Sequence, residues 1–344
     1  RIYNEDIANG KWSHMMDQTH ISYTYWQQPE KDVMPEVTEL KLPAAAEMGI
    51  AVEGSTAWWP AAKEEAVLPE LTPFGEKAHY IEIFNRGQAP FNYTVKSGAA
   101  WLKVDQQQGR VEDQLRLWVS VDWQQAPKGT QRVPVTITGP NGKSVVVQAL
   151  VNNRAALAAD NVKGFVESNG HVAMHAENYS RAIPAGNLSW KLLPDLGRTA
   201  SAMTPWPVTS PSQQPGSKSP RLEYDIHLLN SGEVNVQVYV SPTLNYLDLP
   251  QGIRYAVAID DQEPQIVSIH KDNTTQSWDA WVANSIIMTQ SKHKVDKPGQ
   301  HVLKVWMVDP GVVMQKIVVE TTGAKPSYLG PPESFRKETT TAVN

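Results

Sequence analysis

The residues best suited to chemistry are four aromatic side chains in segments that predict loops. Trp206 lies between two prolines, Tyr246 lies in the run PTLNYLD, and Trp278 and Trp281 lie within residues 272–284. Tryptophan and tyrosine rings present an apolar face and a polar edge, so they either stack on sugar rings or pack into β-sheet cores. The sequence therefore offers a candidate carbohydrate-binding surface, with core packing as the alternative for each ring.

No other pattern in the chain indicates catalysis or metal binding. The Gly-x-Ser-x-Gly, phosphate-loop, dinucleotide and His-Glu-x-x-His motifs are all absent from the sequence. Asp260 and Asp261 are adjacent, so on a strand their carboxylates would point to opposite faces, and the following Gln-Glu-Pro predicts a hairpin turn. His14 and His20 lack the i, i+4 spacing that places two metal ligands on one helical face. We expect no metal and no cofactor.

Composition narrows the class of protein further. A chain of 344 residues predicts two or three domains, and its net charge of −5 gives no sign of a nucleic-acid or anionic-membrane partner. No run approaches the roughly 18 apolar residues that a membrane-spanning helix needs. The absence of Cys excludes disulfides and thiolate metal sites.

Three runs of alternating apolar residues predict the strands around which the candidate loops are arranged. They are residues 221–228, 234–240 and 253–259, punctuated by Asn-Ser-Gly and by a Pro-rich loop. A period of two maintained over three segments predicts antiparallel strands with one buried face. The candidate aromatic residues follow or precede these strands, so we expect them at the ends of a β-sandwich.

The remaining chain predicts a mainly β protein made of two consecutive β-sandwiches. Residues 44–152 have short strands at regular spacing and a hairpin turn at 139–142, which is typical of an immunoglobulin-like sandwich. Residues 153–323 hold the second sandwich, after a linker or short helix at 152–163. The segment 203–220, with five prolines, predicts a long surface loop. The tail 324–344 is expected either to pack on the surface or to be disordered.

The first 43 residues predict a short helical segment with an unusual concentration of large apolar side chains. Trp12, Tyr23 and Trp26 lie close together with two Met, one Ile and a second Tyr. A segment of this size cannot bury so many large side chains by itself. We therefore expect residues 12–26 to form an interface. The chain also begins at Arg1 without an initiator Met, which suggests a fragment of a longer protein.

Three motifs resemble the C-terminal part of glycoside hydrolase family 115, the xylan α-1,2-glucuronidases. They are GKWSHMMDQTHI at 10–21 with YWQQP at 25–29, RTASAMTPWPVT at 198–209, and VDPGVVMQKI at 308–317 followed by PSYLGPPES at 326–334. The resemblance covers essentially the whole chain. Residues 49–151 also resemble BACON-type sandwiches, and residues 164–322 resemble the jelly-roll modules that bind carbohydrate.

The resemblance implies a larger parent enzyme with an N-terminal α/β domain, a (β/α)8 barrel and a helical region that residues 1–43 would end. The family's catalytic carboxylates lie on the barrel, so no catalytic residue is assigned here. Trp12, His14, His20, Tyr23 and Trp26 would face the missing catalytic portion or the rim of its active site. The implied protein is secreted or periplasmic, binds glucuronoxylan and forms a homodimer. The alternatives are a stand-alone xylan-binding protein and a dimerisation scaffold.

The resemblance also raises the question of calcium. Related jelly rolls begin with a Glu-Ala-Glu segment whose carboxylates hold a structural calcium ion. Here His175 replaces the first Glu, which leaves Glu177 as the remaining candidate ligand. Calcium prefers several oxygen ligands, so the substitution argues against a metal site.

We predict that this chain alone releases no glucuronic acid from glucuronoxylan, because the acid and base would lie on the absent barrel. The measurement is glucuronic acid release by the purified chain over many hours. Release that disappears when one of the chain's own carboxylates is substituted would contradict the assignment of catalysis to another domain.

Overall fold

The computed structural model describes residues 1–15, 18–24, 29–153, 162–324 and 326–337. The chain divides into two compact units, Arg1–Ala44 and Ala45–Asn344. The N-terminal unit contains a π-helical turn at Ile2–Asp6 and a 3₁₀ turn at Ile7–Gly10. The short helical segment predicted from the sequence is therefore present, and none of the unit's described residues is buried.

The first β-sandwich occupies residues 48–153, all of which the structure describes. Its strands are β1 (Met48–Val52), β2 (Trp58–Trp59), β3 (Ala66–Val67), β4 (Ala78–Asn85), β5 (Phe91–Ser97), β6 (Leu102–Val104), β7 (Gln108–Val111), β8 (Gln114–Val121), β9 (Gly129–Thr138) and β10 (Ser144–Asn153). They form two sheets with the orders β2-β1-β4-β8-β6 and β3-β10-β9-β5-β7.

Alternation of apolar and polar residues builds the core of this sandwich, as the sequence predicted. In β5, Phe91, Tyr93 and Val95 are buried while the intervening residues are exposed. The predicted hairpin turn is a 3₁₀ turn at Pro140–Gly142 between β9 and β10. The mainly β fold of this part of the chain is therefore confirmed.

The second β-sandwich lies within the described ranges 162–324 and 326–337. Its elements are β11 (Gly164–Val166), β12 (His171–His175), β13 (Arg181–Ile183), β14 (Ser189–Leu193), β15 (Ala202–Trp206), β16 (Arg221–Leu228), β17 (Gly232–Val240), β18 (Arg254–Ile259), β19 (Gln265–Ser268), α1 (Thr275–Asn284), β20 (Ile287–Val295), β21 (Gly299–Met307), β22 (Met314–Glu320) and β23 (Arg336–Lys337). One sheet has the order β19-β18-β21-β16-β11-β23, with β13 beside β16, and the other has the order β14-β15-β22-β17-β20, with β12 beside β22.

The three runs that the sequence singled out form strands β16, β17 and β18. Leu222, Tyr224 and Ile226 of β16 are fully buried, which confirms the predicted apolar face. β17 lies in the opposite sheet from β16 and β18, so the chain crosses the core at each connection. The Asp260-Asp261 pair forms the turn between β18 and β19, as predicted.

Two predictions about loops were wrong. Residues 203–206, part of the segment 203–220 that was predicted to be a surface loop because of its five prolines, belong to β15, in which Ala202, Met203 and Thr204 are buried. β15 pairs with β14 along its length but with β22 only at Met203–Met314, so most of one edge of β15 lies outside a ladder, where proline is tolerated.

Most of the predicted loop 272–284 is the helix α1. Its N-terminus is closed by a capping box in which Thr274 and Ser277 exchange side-chain and backbone hydrogen bonds. Apolar residues at 278, 281 and 282 then have helical spacing. Among the described residues, no helix is long and apolar enough to cross a membrane.

The described part of the C-terminal tail packs on the second sandwich, which agrees with one of the two alternatives predicted for it. We call residues 326–337 the strap. Glu333 accepts a hydrogen bond from the His175 backbone at 2.7 Å, and Ser334 donates to the Ala173 carbonyl at 2.9 Å. The buried Lys316 ammonium donates to the carbonyl oxygens of Leu329 and Pro331, both at 3.0 Å. Burial lowers the pKa of Lys316, while nearby Glu333 opposes that shift.

The predicted domain limits of 44–152 and 153–323 remain a prediction, although sheet structure continues beyond residue 323 as far as β23. The strap also reaches the first sandwich, because the Phe335 ring lies 5.6 Å from the ring of Phe74. Residues 154–161 of the predicted linker and 338–344 of the tail lie outside the described residues.

Replacing Lys316 with Met is expected to lower the free energy of unfolding by about 1–3 kcal/mol, because the carbonyl oxygens of Leu329 and Pro331 lose their donor and the Pro331 contact is buried. Urea denaturation measures this loss, and limited proteolysis should show faster cleavage in the strap. Lys292→Met is the control, since Lys292 is an exposed lysine on β20 that pairs with Glu233. Its expected change is about 0.5 kcal/mol or less. Equal losses in both variants would show that Lys316 does not anchor the strap.

Candidate functional site

Four connections meet at one end of the second sandwich. The chain leaves β15, β17, β19 and β21 there, and the connecting segments are 207–220, 241–253, 269–286 and 308–313. Backbone hydrogen bonds join them, including Gln213 N to Val308 O at 2.6 Å and Ser241 N to Val313 O at 2.8 Å. We call these four segments the loop end. All four aromatic residues proposed from the sequence lie at this end or on the strand that enters it.

A buried ion pair holds the loop end together. The Asp309 carboxylate is fully buried and accepts hydrogen bonds from Arg254 Nε at 2.8 Å, Arg254 Nη2 at 3.2 Å and the Arg254 backbone N at 2.9 Å. The bond to Asp309 raises the pKa of Arg254. This contact fixes segment 308–313 against the start of β18.

His270 fixes a second connection, segment 241–253. Its Nδ1 accepts a hydrogen bond from Ile253 N at 3.1 Å, and its Nε2 lies 2.6 Å from the Thr243 carbonyl oxygen. Only the neutral tautomer with the proton on Nε2 satisfies both contacts. Gly252 packs so closely that a Cβ there would lie 2.5 Å from the His270 Cβ. His270 therefore acts as an internal brace for the loop that carries Tyr246.

Trp206 and Tyr246 are the two exposed aromatic residues of the loop end. Trp206 is 41% exposed and Tyr246 is 52% exposed. Tyr246 Oη donates to the Val208 carbonyl at 3.3 Å, which ties it to the segment that follows Trp206. Its ring lies against Gly311, and burial together with the nearby Asp309 charge raises the pKa of Tyr246. The side chain is therefore a neutral phenol at ordinary pH.

A hollow of about 640 Å³ opens beside these residues. Such a volume suits a small ligand or part of a polymer. Its lining comes from the connection between β13 and β14 and from segment 207–220, and the lining residues are Ala185, Gly186, Asn187, Leu188, Pro207, Thr209, Ser210, Pro211, Gln213, Ser217 and Lys218. Sequence reasoning missed them because no local pattern links two segments that meet only in the folded sandwich.

A second hollow of about 460 Å³ lies on the other side of segment 241–253. It is bounded by Asn245, Gln251, Ser268, His270 and Asn273, together with Lys271 and backbone of the same loops. The two hollows and the exposed rings make the loop end a concave, polar surface with apolar platforms.

Trp278 and Trp281 have a different setting from the exposed pair. Both lie on α1 and are half-buried, with ring centroids 6.4 Å apart in an edge-to-face arrangement. Trp281 packs against the apolar core of the second sandwich. These rings therefore anchor α1 to the sandwich, and only their outer parts remain for contact with a ligand.

The candidates in residues 1–44 belong to the N-terminal unit. Trp12 is 38% exposed and Tyr23 is 45% exposed, and the interface proposed for them stays a prediction. His20 Nδ1 lies 3.3 Å from Asp32 Oδ1, and the His14 backbone N donates to Asn4. Trp26 lies outside the described residues, as do Met16 and Tyr25. The rim contacts predicted for these residues remain a prediction.

Glu177, the weak candidate for a metal ligand, accepts a hydrogen bond from Ser201 N at 3.3 Å. No group of three or more His, Cys, Asp or Glu suited to a metal ion occurs among the residues that the structure describes. The expectation that Glu177 holds no metal stays a prediction.

The first sandwich also carries a solvent-facing group of aromatic residues. Trp118 is 43% exposed and makes an edge contact with Tyr80 at 5.7 Å. Arg116 covers the Tyr80 ring at 4.0 Å and is held there by a salt bridge to Glu82. A sugar could reach the Tyr80 face only by breaking the Arg116–Glu82 salt bridge, whereas Lys191, which lies 4.2 Å from the centroid of the Trp206 ring, forms no salt bridge among the described residues.

Comparison with known families places this site in context. Residues 164–333 match the glycosyl hydrolase family 115 C-terminal domain, and residues 75–150 match the viral BACON domain. Residues 164–333, just under half of the chain, therefore match the C-terminal domain of glycoside hydrolase family 115, as the motifs in this part predicted. No curated protein matches the chain significantly.

Similar solved structures include a family 115 4-O-methyl-α-glucuronidase, BtGH115A, described as specific for decorated arabinogalactans. It is 14% identical with a TM-score of 0.34, and the match covers 44% of this chain and 17% of that one. The C-terminal family 6 carbohydrate-binding module of the laminarinase LamC from Zobellia galactanivorans is 12% identical with a TM-score of 0.29, covering 44% and 98%. A family 35 module from Clostridium thermocellum is 11% identical with a TM-score of 0.29, covering 43% and 96%. These likenesses are weak, and the chain spans about a sixth of the glucuronidase.

Gly311→Ala is expected to destabilise the loop end, because the new Cβ would lie 2.6 Å from the Tyr246 ring. Gly323→Ala is a matched control, since Gly323 has a φ of +96° against +91° for Gly311 but no neighbour within 4 Å of a Cβ. Both variants strain the backbone, and only Gly311→Ala also displaces Tyr246. We expect Gly311→Ala to lose about 1 kcal/mol or more beyond the control in chemical denaturation. Equal losses would show that Tyr246 is not held by this contact.

Proposed function

We propose that the loop end of the second sandwich is a carbohydrate-binding surface. The observation that carries this proposal is that Tyr246 is hydrogen-bonded to Val208, two residues after Trp206, that both rings are exposed, and that the intervening Pro207 lines the larger hollow. A pyranose ring has an apolar face and a rim of hydroxyl groups. Aromatic platforms bind the face, and the amide and hydroxyl side chains of the hollow bind the rim.

Preorganisation supports the same proposal. The Asp309–Arg254 pair and the His270 contacts fix the segments that carry or flank Tyr246 before any ligand arrives. A rigid platform loses little conformational freedom on binding, which favours affinity. In this proposal Trp206 and Tyr246 bind the sugar. Asp309, Arg254 and His270 hold the neighbouring segments in place.

The family assignment extends the proposal to the whole enzyme. In this proposal the chain is the non-catalytic C-terminal part of a secreted or periplasmic α-glucuronidase that removes (4-O-methyl)glucuronic acid from xylan. The catalytic carboxylates then belong to an N-terminal portion, and the chain supports that portion, binds substrate and contributes to a homodimer. A stand-alone xylan-binding protein would use the same surface without that partner.

A scaffold is the second candidate function, because the N-terminal unit exposes several large apolar side chains. Met15 is 65% exposed and Ile21 is 46% exposed, in addition to Trp12 and Tyr23. Exposed apolar groups of this kind normally mark contact surfaces. In the scaffold alternative these residues bind the catalytic portion or a second subunit, and the loop end binds no sugar.

The test is retention of the chain by glucuronoxylan in affinity electrophoresis, with birchwood-type xylan and a decorated arabinogalactan run in parallel. Trp206→Ala and Tyr246→Ala are each expected to weaken binding by about 1–3 kcal/mol, by analogy with other aromatic stacking contacts. Trp278→Ala should have a smaller effect, since that ring is half-buried.

Trp118→Ala is the matched control, because Trp118 and Trp206 have nearly equal exposure, 43% and 41%. Circular dichroism establishes that every variant is folded. Retention that is unchanged in both loop-end variants, or lost only in Trp118→Ala, would contradict the proposed site.

A further inference from the structure

The charge of the loop-end hollows differs from that of the whole chain. The chain has 36 acidic and 31 basic residues. None of the residues lining the larger hollow is Asp or Glu, and its one ionised side chain is Lys218. The lining of the smaller hollow is also free of carboxylates and contains Lys271. The lining of each hollow therefore contains one lysine and no carboxylate, unlike the chain as a whole.

A second cation lies directly on the exposed tryptophan. Lys191 Nζ is 4.2 Å from the centroid of the Trp206 ring. The two residues belong to the paired strands β14 and β15, in which Ser189 faces Trp206 and Lys191 faces Thr204. Strand pairing thus fixes the stem of Lys191 beside the ring.

Lys191 differs in one respect from the arginines that cover rings on the first sandwich. Arg116 and Arg86 are each held by a salt bridge, to Glu82 and Glu47. In the described part of the chain, Lys191 forms no salt bridge. Its ammonium is therefore available to pair with an anion brought by a ligand.

We propose that the larger hollow and Trp206 form a subsite for an anionic sugar residue, with Lys191 and Lys218 selecting its charge. The ring of that residue stacks on Trp206 and its carboxylate or sulfate group pairs with the lysines. This inference rests on the proposed carbohydrate-binding function and adds the ligand's charge and the residues that recognise it. A uronic acid and a sulfated sugar share this chemistry.

The experiment compares three polymers by isothermal titration calorimetry with the full chain. They are glucuronoxylan, the same polymer after its carboxyl groups are reduced to alcohols, and a sulfated xylan without uronic acid. The variants are Lys191→Gln, Lys218→Gln and, as a control, Lys96→Gln on an exposed strand position of the first sandwich. Each measurement is repeated at low and high salt, because exposed charge pairs are screened.

Glucuronoxylan is expected to bind about tenfold more tightly than its reduced form, and each loop-end lysine variant to lose about three- to tenfold on glucuronoxylan only. Lys96→Gln should bind like the wild type. Tighter binding of the sulfated polymer than of glucuronoxylan would identify sulfate as the preferred anion and still support the subsite.

Equal affinity for glucuronoxylan and its reduced form would overturn charge selection and leave the carbohydrate-binding proposal standing. Equal losses of affinity for glucuronoxylan and its reduced form in the lysine variants would likewise overturn charge selection, since the lysines would then bind the charged and the neutral sugar alike. Absence of binding to all three polymers would refute the proposed function itself.

Discussion

The loop end depends on one buried electrostatic contact, the pairing of Asp309 with Arg254. A carboxylate with no solvent exposure is stable only when hydrogen bonds and an opposite charge compensate its desolvation. Arg254 supplies both through its backbone and its guanidinium. The pair sets where β21 ends and β18 begins, and segment 308–313 in turn supports the Tyr246 ring at Gly311. The exposed ring is therefore positioned by a contact that is itself hidden from ligand.

Strand β22 contacts both the loop end and the strap. Gln315 donates to Ser241 Oγ at 2.8 Å, which links β22 to the loop that carries Tyr246. The next residue, Lys316, holds the strap by two carbonyl groups.

The sequence predicted the strands well because their signal is local. Alternation in 221–228 and in 91–95 is enough to identify a strand and its buried face, since side chains alternate between the two faces of a sheet. It could not show that β17 lies in the other sheet, because register and sheet order depend on distant partners. The prolines of 203–220 predicted a loop and so concealed the strand β15. Pro205 is tolerated there because β15 pairs with β22 only at Met203–Met314. The capping residue Thr274 was the missed signal for α1.

The site was predictable only in part. Unusual aromatic residues in loops identified Trp206 and Tyr246, which are exposed, but the same reasoning could not separate them from Trp281, which packs on the core. Sequence reasoning could not identify the hollow or Lys218, because residues 185–188 and the connection 207–220 meet only after folding.

A crystal structure of the chain with an acidic xylo-oligosaccharide is the decisive measurement for the sugar-binding surface. We expect electron density for a sugar ring against Trp206, with its charged group at the hollow. Sugar bound at Trp118 on the first sandwich, with the loop end empty, would contradict it.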